Sequence, residues 1–233
     1  MSKKPETLHD SRIITYDDSH WDLLNELRDG ALEVMQALQD NGITSFVYGS
    51  VARGDVSKSS DIDIIIPYTV SSYKVEIAIG SGIRRELVQA TPSMVLKGHI
   101  YLENDIVVTF PLFKLKSREE EFYQWGGQTS TSQLREGIRV SGVDKRLILI
   151  EPSETGHVES GVIGYEHITA KKVGVSIDIA KDRVRVLTRR DSVGRTGVYL
   201  TRRLSLDESF EAVAKDLVDS DPALRRTVQR REK

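Results

Sequence analysis

The chain of 233 residues contains no cysteine. That absence removes a disulfide framework, a thiolate zinc site and a cysteine nucleophile from the chemistry open to it. His99, His157 and His167 lack the paired spacing of metal ligands, so an imidazole zinc centre is not expected. There is no run of about twenty apolar residues and no basic-then-apolar leader, which predicts neither a membrane span nor a secretion signal. A cytoplasmic location is the expectation. Aromatic residues are 6% of the chain and are thin in its C-terminal part, where no RNA-binding motif is complete.

What is present suffices for a packed core. Apolar residues at 39% and 17 glycines approach the globular average, and the length allows one large or two modest domains. The net charge of -2 hides an asymmetry: 16 Lys/Arg face 11 Asp/Glu from residue 160 onward, leaving 17 against 24 before it. The basic C-terminal part is therefore the candidate contact for nucleic acid, with a solvated basic face as the alternative.

The informative segment is Tyr48-Gly49-Ser50-Val51-Ala52-Arg53-Gly54-Asp55, followed by Ser60-Asp61-Ile62-Asp63 and Ile64-Ile65-Ile66. Residues 45–48 and 62–66 are rich in β-branched and aromatic side chains and read as strands flanking a loop. On a strand, residues two apart share a face, so Asp61 and Asp63 present carboxylates side by side while Ile62 and Ile64 point inward. Like charges so close repel unless a cation lies between them, and magnesium, with its preference for oxygen ligands and substrate phosphates, suits the need. In the loop, Gly49 lets the backbone approach a polyphosphate, Ser50 offers donors, Gly54 lets the chain reverse, and Arg53 is a candidate phosphate-facing cation.

Over residues 43–67 the sequence resembles the nucleotidyltransferase superfamily, which includes DNA polymerase beta and CCA-adding enzymes. The resemblance is carried by Gly49-Ser50, Ala52-Arg53-Gly54 and Ser60-Asp61-Ile62-Asp63. It implies an α/β (α+β) fold, a mixed sheet with flanking helices, and transfer of a nucleotidyl group from a nucleoside triphosphate to an acceptor with Mg2+ or Mn2+. It also implies a third carboxylate on a later strand. Asp105, ahead of Ile106-Val107-Val108, is one reading, with Glu103 behind it. In the other, Ile100–Leu102 and Ile106–Phe110 form a hairpin, Asp105 sits in its turn, and the mid-strand place falls to Val107 or Thr109. The metal ligands expected are thus Asp61, Asp63 and Asp105. If the third acid is missing, a catalytically silent nucleotide- or nucleic-acid-binding protein is the alternative, and a protein or small-molecule acceptor also stays open.

A nucleotidyltransferase core over 1–116 and a basic α+β module over 117–233 are expected. Residues 1–10 read as lacking fixed structure. Periodicity predicts helices from Ser19 to Asn41, over Tyr73–Ala90 and over Asp207–Val218. Ser117–Tyr123 starts a helix, Gln128–Gln133 reads as a loop, Leu147–Ile150 as a strand and Thr155–Gly161 as a connector. Val173–Ala180, Arg183–Leu187 and Val198–Leu204 read as strands, with Gly194–Gly197 as a glycine turn. Arg84-Arg85 reads as solvent-facing. Trp125 with Arg135, Arg139, Lys145 and Arg146 forms a candidate channel, a buried tryptophan being the alternative.

Overall fold

The computed structural model describes residues 4–194 and 197–231. In chain order it contains β1 (Arg12–Thr15), α1 (Asp18–Asp40), β2 (Phe46–Tyr48), α2 (Ser50–Arg53), β3 (Ile62–Ile65), α3 (Ser72–Ile79) and β4 (Arg84–Gln89). Then follow β5 (Lys97–Tyr101), β6 (Ile106–Pro111), α4 (Ser117–Trp125), β7 (Gln128–Ser130), α5 (Thr131–Arg135), β8 (Gly142–Val143) and β9 (Ile148–Ser153). The rest is β10 (Gly156–Gly161), α6 (Glu166–Val173), α7 (Ile177–Val193), β11 (Leu200–Arg203), α8 (Phe210–Ser220) and α9 (Pro222–Gln229).

These elements form two compact units, and the chain alternates between them. The first takes the described residues of 1–32, 47–60 and 120–196, the second those of 33–46, 61–119 and 197–233. The expected boundary at 116/117 is therefore only one of several crossings. Helix α1 passes from one unit to the other after Leu32. Its buried stripe is Leu24, Arg28, Ala31, Met35 and Leu38, a three-four spacing that keeps one face inward. The stripe contains a cation, to which the site returns.

In the first unit, β1, β10, β9 and β8 make an antiparallel sheet in that order, and β7 lies beside β2. Trp125, Leu147, Leu149, Val162, Ile179 and Ala180 form its core under α6 and α7. Three expectations are corrected here. Thr155–Gly161 is largely β10, not a connector. Residues 173–187 are the end of α6 and most of α7, not strands: the alternation Val173, Val175, Ile177, Ile179 imitates a strand, but Gly174 at φ 77 ends one helix and the Ser176 side chain caps the next. Within Gln128–Gln133, Ser130 and Gln133 form a reciprocal capping box that starts α5. The N-terminal segment is also tied down, since the Glu6 amide donates to the Arg146 carbonyl at 2.8 Å; residues 1–3 lie outside the described residues.

In the second unit the strands run β11-β4-β5-β6-β3, all antiparallel except the parallel pair β3/β6. One face is apolar. Ile64, Val108, Ile100 and Leu87 are all fully buried on it, and Phe110 meets Phe210 of α8 edge-on at 5.0 Å. Gly98 lies opposite Phe110, where a Cβ would come within 2.5 Å of the ring. The helix expected over 73–90 is half helix and half strand. Gly80 and Gly82, at φ 76 and 64, stop α3, and β4 follows. Arg85 is correspondingly not solvent-facing: it is buried against Glu76 at 2.6 Å and the Ser205 carbonyl.

Candidate active site

The loop half of the motif belongs to the first unit. Strand β2 ends at Tyr48, and Gly49 takes φ 84, ψ -145, a region that side-chain-bearing residues avoid. Nothing lies within 4 Å of the place a Cβ would occupy there, so the backbone is open on that side. A single helical turn, α2, follows, and Gly54 closes it in the left-handed region, its amide donating to the Ser50 carbonyl at 2.7 Å. The Ser50 hydroxyl donates to the Ser60 hydroxyl at 3.3 Å, and Ser60 Oγ also accepts from the Ser57 amide at 2.9 Å. Residues 57–60 thereby fold back on the turn, and Asp61 is the next residue in the chain.

Arg53 does not act as a phosphate-facing cation here. Its side chain is 6% exposed, makes two parallel bonds to Asp55 at 2.9 and 3.0 Å and donates to the Gly126 carbonyl. A Cβ on Gly127 would sit 2.8 Å from Arg53 Cγ, so that glycine makes room for the packed stem. Arg53 holds the loop in shape.

A second buried arginine, which the sequence reading passed over, completes the support. Arg28 projects from α1 and donates to the carbonyls of Val51, Ala52 and Ile138 at 3.1, 3.2 and 2.8 Å. It thus satisfies carbonyls at the end of α2 that the one-turn helix leaves open. Burial, with Arg139 nearby, lowers its pKa to about 10, which still leaves it charged at neutral pH. The available signal was a cation inside an otherwise apolar helical stripe. His20 adds a contact from Nε2 to the Gly54 carbonyl at 2.8 Å and stacks on Tyr16, whose hydroxyl meets His157 Nδ1 at 2.6 Å. Burial and the charge of Asp55 push the Tyr16 pKa up, so the phenol keeps its proton. A cavity of about 450 Å³ opens beside these groups, lined by Tyr16, His20, Asp55, His157 and Glu159 among others.

The carboxylate half belongs to the second unit. Asp61 is exposed just ahead of β3, and Asp63 lies within it, partly exposed, between buried Ile62 and Ile64. The parallel register sets Ile62 against Ile106 and Asp63 against Val107. Residues 97–111 form the hairpin β5/β6, with Glu103, Asn104 and Asp105 in its turn. Asp105 has φ 55, unusual for any residue but glycine, and its carbonyl accepts from the Ile62 amide at 3.0 Å. The strand place beside Asp63 is therefore taken by Val107, and Asp105 stands level with Asp61. Asp61 and Asp63 supply the hard oxygen donors magnesium favours; among the described residues no group of three His, Cys, Asp or Glu is arranged to hold a metal ion.

The proposed channel at Trp125 is not formed from that residue. Trp125 is a core side chain at 3% exposure, Arg146 pairs with Asp144 and Glu159, and Arg139 lies over Trp21 at 4.8 Å. The glycine turn at Gly194–Gly197 includes Arg195 and Thr196, which lie outside the described residues.

Residues 29–138 match the family described as nucleotidyltransferase domain. Over that stretch the chain is similar to that family, and its mixed α and β architecture agrees with the likeness. The matched stretch contains both halves of the motif and the Asp105 turn, together with Arg28's carbonyl partners at Val51, Ala52 and Ile138. No curated protein and no solved structure matches the chain. Among the described residues, no helix is long and apolar enough to cross a membrane.

Proposed function

We propose that the protein transfers a nucleotidyl group from a nucleoside triphosphate to an acceptor hydroxyl in a reaction dependent on magnesium or manganese. The observation that carries this reading is the pairing, within the family stretch, of an open glycine turn at Gly49-Ser50 with alternate carboxylates at Asp61 and Asp63. Gly49 and Ser50 receive the triphosphate, and Gly54 lets the turn close beneath it. Asp61 and Asp63 hold the divalent ion, with Asp105 as a candidate additional ligand. A divalent ion bound there neutralises the triphosphate and favours the ionised acceptor oxygen.

In the transfer itself the acceptor oxygen attacks the α-phosphorus. The bond from that phosphorus to the oxygen bridging to the β-phosphate breaks, pyrophosphate departs, and the acceptor proton passes to solvent. Triphosphate supply implies an intracellular setting. The basic C-terminal part supports a nucleic acid as acceptor.

One observation favours a second reading. Val107 beside Asp63 and the turn position of Asp105 suit a protein that binds nucleotide without transferring it. Purified protein should be incubated with each labelled nucleoside triphosphate, divalent metal, and cellular RNA, DNA and protein. Label on one acceptor class that disappears in Asp61→Asn/Asp63→Asn supports transfer. Triphosphate binding with no label on any acceptor supports the silent binder.

A further inference from the structure

The stretch similar to the nucleotidyltransferase domain begins at residue 29 and ends at residue 138, so it takes in the turn at 49–54 but not all that holds it. Tyr16, His20 and His157 lie outside that stretch, in the same compact unit as the turn.

The carbonyls of the turn are tied down one after another. The Arg53 amide donates to Gly49 at 3.1 Å and the Gly54 amide to Ser50 at 2.7 Å. Arg28 serves Val51 and Ala52, and the Val140 amide also reaches Ala52 at 3.2 Å. The carbonyl of buried Gly54 accepts from His20 Nε2 at 2.8 Å. A carbonyl can only accept, so Nε2 carries a hydrogen in either charge state of the ring. Loss of this donor would leave a buried acceptor unpaired at the residue whose φ of 101 closes the turn.

His20 is itself held in place. Its backbone amide donates to Asp17 Oδ1 at 2.9 Å, and its ring lies on Tyr16 with centroids 3.5 Å apart and planes 20° from parallel. Tyr16 is buried, with Trp21 against it edge-on at 5.1 Å. The Tyr16 amide donates to the Thr155 carbonyl at 2.9 Å, and its hydroxyl shares a hydrogen bond of 2.6 Å with His157 Nδ1. Both contacts fix the ring to β10 and the residue before it. His157 stands 3.6 Å from Glu159, which Arg12 and Arg146 hold in turn. A ring at the end of such a string has little freedom to leave Gly54.

We propose that His20 is a positioning residue for triphosphate binding: with Tyr16 as its platform, it holds the Gly54 peptide so that the turn is formed before the triphosphate arrives. This deepens the transferase reading above and rests on it for the identity of the ligand. A turn already in its binding shape loses less conformational freedom on binding, so the brace acts on affinity more than on the bond-breaking step. It is supplied by segments that flank the matched stretch, not by that stretch itself.

The test compares His20→Phe, which keeps a flat ring for Tyr16 and removes the donor, with His20→Gln, whose amide nitrogen restores it. Titration calorimetry with each nucleoside triphosphate and magnesium reads affinity. Hydrogen–deuterium exchange over residues 49–56 in the free protein reads the turn with no ligand present, and exchange in β5 and β6 reports global unfolding. His20→Phe should bind triphosphate about tenfold more weakly, the low end of what an unpaired buried acceptor costs, and should exchange faster over 49–56 alone. In transfer assays KM should rise with kcat nearly unchanged, and His20→Gln should return all three readouts toward the parent protein. Weaker binding that His20→Gln shares, or exchange that quickens in β5 and β6 as well, overturns the proposal. Unchanged affinity and exchange in His20→Phe, in a protein that transfers label, overturn the positioning role and keep the transferase. Faster exchange over 49–56 in His20→Phe, in a protein that binds no triphosphate, removes the transferase reading and leaves His20 a brace of the turn alone.

Discussion

The turn at residues 49–54 and the carboxylate corner at residues 61–63 and 105 are built on opposite principles. The turn is braced on several sides: Arg28 holds its carbonyls, Arg53 is clamped between Asp55 and Gly126, and His20 holds Gly54. The corner is set by strand alternation and one parallel rung, with Asp105 held in a left-handed turn. A phosphate cradle works by fixed backbone geometry, so internal hydrogen bonds that hold it rigid help it. Carboxylates for a metal work by charge and by the oxygen atoms they present on one strand face.

The sharpest way to break this comparison is to remove charge from the corner. Asp63→Asn should lower transfer by about a thousandfold or more, as expected when ligand chemistry is lost, with cooperative unfolding retained. Steady-state transfer rates and calorimetry read the two effects separately. The braced turn should respond the other way. Arg28→Met should cost about 2–4 kcal/mol in urea unfolding, since it leaves buried carbonyls without donors. Gly49→Ala should cost about 1–3 kcal/mol from the positive φ alone, and should weaken triphosphate binding by calorimetric titration.

A pH titration sharpens the comparison between the turn's surroundings and the sheet. The pKa of His99 is lowered in the folded protein to about 4, so the unfolded chain binds the extra proton first as pH falls. His99 therefore contributes stability that is fully present above about pH 6.5 and declines toward pH 4. His157 is lowered by burial as well, against the opposing charges of Asp55 and Glu159, and acts in the same direction. Urea midpoints should fall over that window, and His99→Gln should flatten the fall. The smallest effect is expected at Asp105. Asp105→Gly should change stability by about 1 kcal/mol or less, toward a gain because glycine accepts φ 55 without strain. A large loss of transfer in that variant would show that the turn carboxylate reaches the metal after all.

The glycine turn and the alternate acids were readable because their parts are local. Glycine at a strand end, a short turn and alternating acids each leave a mark within a few residues. Helix α1 was readable from its stripe, though the stripe's charged member was not recognised as a brace. Its partners lie 23–110 positions away in the chain, beyond any local pattern. Where local patterns conflicted, the reading failed. Val173 to Ile179 alternates like a strand, yet Gly174 and Ser176 punctuate it as two helices. Tyr73 to Ala90 repeats every four residues, yet two glycines divide it between α3 and β4. The role of Arg53 was misjudged because sequence shows a cation's charge and not the carboxylate already bound to it.

The order in which the chain builds its sheet carries a consequence for synthesis. Strand β4 has β5 on one side from the moment residue 101 is made, but its other edge is covered only by β11, at Leu200–Arg203. Nearly a hundred residues of chain must emerge between those two events. Throughout that interval the growing polypeptide displays an unpaired row of amides and carbonyls, the kind of edge on which strands of separate molecules associate. Arg84 and Glu86, both charged and both on β4, stand along that edge while it waits. Charges so placed discourage a wrong partner until the right one arrives.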